Sequence, residues 1–157
     1  AQLYGLHATG LRFFTVYGPW GRPDMAPLLF SRAVLAGRSI DVFNEGRMQR
    51  DFTHVSDIVA GILGALAHPA DGPVPHRVFN LGNHTPVELE RFIGVIEQAA
   101  GRPAQKVYKP MQPGDMVRTM ADTRRAHDAF GYEPAMPIEQ GLPPVVQWCR
   151  EYFADRA

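Results

Sequence analysis

With one cysteine in 157 residues, Cys149, the chain has no internal disulfide to form and gives no sign of an oxidising compartment. Excess charge is missing as well, because 16 basic side chains balance 16 acidic ones. A chain without a net field cannot gather phosphate backbone non-specifically, which excludes a general nucleic-acid binder and leaves only local basic pockets. Long apolar runs are absent. The longest, IVAGILGALA from Ile58 to Ala67, is too short to span a bilayer, and no secretory signal precedes it, so a soluble, cytoplasmic protein with no membrane partner is expected.

Several chemical signatures are missing too. The sequence contains no HExxH, CxxC, GxSxG, GxxxxGK[ST] or GxGxxG. Its six histidines, at 7, 54, 68, 76, 84 and 127, lie scattered without ligand spacing, so no metal site is expected. Taken alone, these absences describe a binding domain.

What is present alternates between strand and helix, which makes the class α/β. LRFFTV (Leu11 to Val16) and VFNLGN (Val78 to Asn83) have the content of buried strands. Asp24 is placed to cap a helix through Met25, Leu28, Leu29 and Leu35, closed by Gly37. IDVF and MQRDFTHV flank Asn44-Glu45-Gly46, a hairpin signal. Ser56 is placed to cap a helix from Asp57 to about His68. Thr85-Pro86-Val87-Glu88 has capping-box spacing ahead of a helix burying Leu89, Phe92, Ile93, Ile96 and Ala100, stopped by Gly101. Asp122 fits the start of a short helix ending at Gly131. The last helix carries Val145, Trp148, Cys149 and Tyr152 on one side, and Pro143-Pro144 predicts a break or late start there. AQLYGL, at the start, reads as the end of an amphipathic helix, so the chain is expected to be a piece of something longer; a processed or trimmed start is the alternative.

The stretch RFFTVYGPWGRPDM, Arg12 to Met25, runs a buried strand into a turn full of polar chemistry. Ligands of open α/β sheets sit beyond the carboxyl ends of strands, so Thr15 either meets one or bonds a nearby carbonyl. Trp20 reads as packing the turn.

RFFTVYGPWGRPDM, RDFTHVSDIV, HRVFNLGNHTPVEL and MQPGD, in this order, resemble the extended short-chain dehydrogenase/reductase family of NAD-dependent nucleotide-sugar epimerases and dehydratases. The threonine of RFFTVYGP and the GRPDM after it resemble the UDP-glucuronate 4-epimerase branch. The resemblance implies the C-terminal portion of an extended Rossmann-type enzyme. Residues 1–17 and 52–83 would complete the sheet and its helices, and 18–51 with 84–157 would form a smaller substrate-binding lobe. It also implies an upstream Rossmann half, carrying the dinucleotide loop for NAD and a YxxxK pair. The tyrosines at 4, 17, 108, 132 and 152 all lack a lysine four residues on, so no catalytic residue is assigned here and the fragment is expected to be inactive alone. Relatives of this kind commonly form homodimers.

The reaction implied is transient oxidation at the sugar C4, with NAD taking and returning hydride. A carboxylate β to the resulting ketone tends to leave as CO₂, so the site must hold it against loss. By resemblance Thr15 donates to that carboxylate and Arg22 offers it a forked donor, with a helix-entry pair to Asp24 as the alternative for Arg22. Phe13, Phe14 and Val16 match the segment against the nicotinamide, or serve as strand core. Arg50 matches an arginine on the diphosphate, its alternative being a surface pair with Asp51 or Glu45. Val42 and Phe43 match the strand that receives uracil. Asp115 matches an acceptor of ribose hydroxyls, or a turn cap. Gln112 stands where some relatives carry arginine, and Arg118 is close enough in sequence to supply that charge. Asp57 reads as a helix-cap acid. The rivals are a related dehydratase, decarboxylase or reductase, and a non-catalytic sugar-nucleotide-binding module.

Overall fold

A computed structural model describes residues 1–154. After a single turn in which the Gly5 amide donates to the Ala1 carbonyl, strand β1 (Ala8–Phe13) pairs in parallel with β6 (His76–Leu81), in register Ala8↔His76 to Phe13↔Leu81. The expected strand Leu11 to Val16 is present but changes neighbour at Phe14. Beyond it, β2 (Thr15–Tyr17) pairs in parallel with β5 (Phe52–His54). The Phe14 amide still donates to Leu81, and the Thr15 amide turns to the Asp51 carbonyl at 3.1 Å.

Helix α1 (Ala26–Leu35) leads into β3 (Ser39–Phe43), then β4 (Gln49–Arg50) and β5. Asp24 does not cap α1: the N-cap is Met25, without a side-chain bond, because the Asp24 carboxylate is taken by Arg22. Nor is there a hairpin at Asn44-Glu45-Gly46. These three residues form a 3₁₀ turn with all φ between 50° and 78°, and β3 pairs in parallel with β8 (Gln105–Lys109) instead. The reason lies in the core: Ile40 and Val42 on β3 are buried against Met48, Leu89 and Ile93, and that side of the molecule is completed from far along the chain.

The capping box at Thr85 does not form either. Val87 is buried and drawn with Glu88 into a short strand β7, antiparallel to β4, and helix α3 (Leu89–Ala100) starts after it. Gly101, at φ 72°, closes α3 as expected, and Gly131, at φ 69°, closes α4 (Arg124–Phe130). Thr123 holds the N-cap position of α4 without a side-chain bond, and Asp122 just before it accepts the Arg124 amide at 3.2 Å. Helix α3 links two cores, Leu89 and Ile93 facing one and Phe92 and Ile96 the other, where Phe92 stacks on Phe52 at 3.9 Å between centroids. Helix α5 (Ile138–Tyr152) runs unbroken through Pro143 and Pro144, its sixth and seventh residues. The carbonyls deprived of donors belong to Glu139 and Gln140, which are exposed, where water substitutes. No helix among the described residues is long and apolar enough to cross a membrane.

Helix α2 (Val55–Ala67) begins two residues earlier than a cap at Ser56 predicts. Its cap is His54, whose Nδ1 accepts from the Ser56 amide at 3.2 Å. Burial lowers the His54 pKa below the ordinary 6.5, with Asp57 opposing the shift. The folded protein therefore holds the ring neutral, and its contribution is full above the unfolded pKa and is lost as pH falls through the lower folded one. Thermal midpoints measured from pH 7.5 to 5 will fall in the parent protein below about 6.5. In His54→Asn, which retains a cap acceptor but does not titrate, this component of the fall will be missing.

Candidate functional site

The amino end of β2, the start of α1, the end of β3 and the β4–β5 junction converge on one cavity of about 250 Å³. Thr15, Asp24, Phe43, Arg50 and Asp115 line it, over an apolar floor that includes Met48 and Phe52. Among the described residues Arg50 is the one cation in this lining, beside the carboxylates of Asp24, Asp41 and Asp115. Its Nη2 donates to Asp115 Oδ1 at 2.7 Å, and its Nη1 to the carbonyls of Gln49 at 3.1 Å and Val117 at 3.4 Å. The side chains are 19% and 34% exposed, so the guanidinium is held on one side and open on the other. Neither surface partner considered for Arg50 is used, since Glu45 pairs with Arg47 and Asp51 turns inward.

The backbone explains why Arg50 and Asp115 meet across 65 residues. The Gln49 amide donates to Val117 and its carbonyl accepts from Thr119, which fastens the 115–119 segment beside β4. Next to it, Asp51 is fully buried and its carboxylate accepts four bonds, from Thr53 Oγ1 and the amides of Asn83, His84 and Ala121. Sequence reasoning weighed Asp51 only as a surface partner for Arg50. Nothing local signals that donors from three segments gather on it.

The other expected residues are placed variously. Phe43 lines the cavity, and Val42 is wholly buried, leaving only its backbone available. Arg22 lies outside the lining, forked onto Asp24 with Nε–Oδ1 of 3.1 Å and Nη2–Oδ2 of 2.5 Å. The hydrogen bond from Arg22 holds the Asp24 carboxyl below its usual range. Gln112 is exposed and offers its carbonyl to the Asp115 amide. Arg118 lines a neighbouring cavity with Glu45, Glu88 and Glu90, apart from Arg50 and Asp115. Phe13, at the end of β1, is 48% exposed, Phe14 is half-buried, and Val16 packs against the Ile58, Phe79 and Leu81 core. Asp57 is buried in the first turn of α2 and accepts from the Met136 amide, a structural tie. Two residues escaped the sequence reading: Asp41 lines the cavity, and Lys109 pairs with it at 2.6 Å and lies 6.0 Å above the Phe43 ring. Only the β3–β8 register, Phe43↔Lys109, brings them together. Among the described residues no three histidine, cysteine or acidic side chains group to hold a metal ion.

A sequence model of the NAD-dependent epimerase/dehydratase family matches residues 1–82 of the 157. The chain belongs to that family. UDP-glucuronate 4-epimerase 5 of Arabidopsis thaliana is 41% identical over 165 residues, an alignment covering 97% of this chain and 38% of that protein. Among solved structures, UDP-glucose 4-epimerase of Thermotoga maritima with UDP-glucose aligns with a TM-score of 0.87 at 29% identity, over 98% of this chain and 49% of the other. UDP-glucuronic acid 4-epimerase of Bacillus cereus, in complex with UDP-glucuronic acid and NAD, aligns at 0.82 and 30% identity, over 90% of this chain and 45% of the other. The fold is thus the Rossmann-like α/β fold of the epimerase family, and the chain spans about half the length of the curated relatives it matches.

Proposed function

We propose that this chain is the nucleotide-sugar-binding half of an NAD-dependent epimerase that interconverts UDP-glucuronate and UDP-galacturonate. The observation that carries the reading is the Arg50–Asp115 pair, half open to a cavity that also presents Thr15 and Phe43. A guanidinium fork suits a diphosphate, a carboxylate acceptor suits a ribose diol, an aromatic ring suits a pyrimidine, and a hydroxyl beside them suits the sugar. In this reading Arg50 holds the diphosphate, Asp115 exchanges Arg50 for ribose hydroxyls, Val42 and Phe43 receive uracil, and Thr15 with Arg22 orients the sugar carboxylate. Gln112 and Arg118 flank the nucleotide end.

The residues present also fit a nicotinamide. Phe13, half exposed at the carboxyl end of β1, offers it an apolar face beside Phe14 and Val16. When bound, NAD supplies the hydride acceptor and donor at the sugar C4. An upstream half would bring the dinucleotide loop and the proton-transfer pair. Two features support such a partner segment. β1 is paired on one side only among the described residues, and α2 exposes Val55, Val59, Leu63 and Leu66 along one face. On this division residues 1–17 and 52–83 complete the larger sheet, and 18–51 with 84–157, of which 155–157 lie outside the described residues, form the sugar lobe.

The test is product analysis on the full-length polypeptide with NAD and UDP-glucuronate. UDP-galacturonate is the expected product. A UDP-pentose with released CO₂ would assign a decarboxylase instead, and absence of binding to any UDP-sugar would remove the reading.

A further inference from the structure

We propose, resting on the reading above, that Asp24 and Trp20 are positioning residues that aim Arg22 at the carboxylate of an acidic sugar and so set the preference for it over the uncharged sugar. Arg22 sits on a turn built for rigidity. The Gly21 amide donates to Gly18 and the Met25 amide to Arg22, and Pro23 fixes its own φ while restricting the residue before it. The side chain, however, is 73% exposed, and a long exposed arginine has rotamer freedom that binding would have to remove.

Asp24 restrains that freedom beforehand. Its two oxygens engage Nε and Nη2 at 3.1 and 2.5 Å, while Asp24 itself lines the cavity beside Thr15. The fork occupies one edge of the guanidinium and leaves the Nη1 edge free for a second carboxylate. Because the pair is neutral as a whole, its discrimination comes from orientation and not from net charge.

Trp20 fixes the turn from the other side. It is 72% exposed and held at φ 64°, a conformation that a bulky L-residue rarely adopts. Its ring lies 5.1 Å from Trp148, tilted, and 5.0 Å from Tyr152, edge-on, so these contacts pin the turn to α5. A strained aromatic on an exposed turn is explained if the position of the turn matters to a ligand.

Calorimetry on the full-length protein with UDP-glucuronate and, separately, UDP-glucose tests the proposal. Asp24→Asn is expected to lower the preference for UDP-glucuronate over UDP-glucose, the ratio of the two affinities, about 10-fold. Asp24→Glu recovers part of the preference, and Trp20→Gly, which relieves the backbone strain, loses it in the same direction. A preference that is unchanged or increased in Asp24→Asn overturns the inference, as does an equal loss for both sugars, which marks a merely structural role. If the unsubstituted protein binds neither sugar, the underlying reading falls and takes the inference with it. Binding with an unaltered ratio removes the inference alone.

Discussion

Replacing Asp51 by alanine will lower the unfolding free energy by about 3–5 kcal/mol, the largest stability loss expected of any single side chain in the candidate site. The size follows from what the carboxylate holds. Three of its four donors are main-chain amides, from Asn83 at 2.6 Å, His84 at 3.1 Å and Ala121 at 2.8 Å, and the fourth is the hydroxyl of the buried Thr53. Alanine strands these donors away from water, at roughly 1–3 kcal/mol for each group left unsatisfied, with partial relief as the backbone relaxes. Asparagine is no remedy. It offers one acceptor oxygen where two are used, and turns an NH₂ toward amides that also donate. Space is as tightly set as charge. A Cβ on Gly82 would lie 2.3 Å from that of Ala121 and 3.0 Å from Asp51 Oδ2, so Gly82→Ala strikes the same junction. Because both changes break one network, their combined effect will be less than the sum. Denaturant midpoints on the intact protein measure all three. A loss under about 1 kcal/mol for Asp51→Ala would mean that solvent or other acceptors take over the amides.

The same residue shows where sequence reasoning stops. Elements defined by their own periodicity were legible: the strand through Leu11 to Val16, the helix burying Phe92, Ile93 and Ile96, and the left-handed glycines that close α3 and α4. Features that depend on a distant partner were not. Asn44-Glu45-Gly46 reads as a hairpin turn, but a turn signal does not say which strand follows in space, and here the partner lies 66 residues on, Ser39 opposite Gln105. Thr85 to Glu88 has the spacing of a capping box, yet burying Val87 opposite Arg50 is worth more than a surface cap. At the site, Arg50, Asp115, Phe43 and Thr15 were each suggested by resemblance and the fold gathers them in one cavity, whereas Arg118 is placed in another. Asp51 has no periodicity, and its donors come from segments whose convergence only the fold creates.

On the proposed reading, Arg50→Ala should weaken UDP-glucuronate binding about 100-fold, close to 2.7 kcal/mol. Hydrogen bonds from a guanidinium to a charged acceptor are worth about 1.5–3 kcal/mol, and here the cation is preoriented by the carbonyls of Gln49 and Val117. Among the described residues no other cation lines the cavity, so none of them replaces it there. Arg50→Lys keeps a charge but loses the planar fork, and an intermediate loss of about 10-fold is expected. Stability is the control. The side chain is 19% exposed and its partner more so, and a pair this open contributes at most about 1 kcal/mol to folding. The binding loss should therefore exceed any stability loss in Arg50→Ala. Raising salt will erode the parent protein's affinity more steeply than the variant's, because the contact being removed is ionic. Calorimetry at two ionic strengths reads both quantities. An Arg50→Ala protein that binds the nucleotide sugar as the parent does would show that the diphosphate lies elsewhere and that the Arg50–Asp115 pair serves only to tie the 115–119 segment to β4.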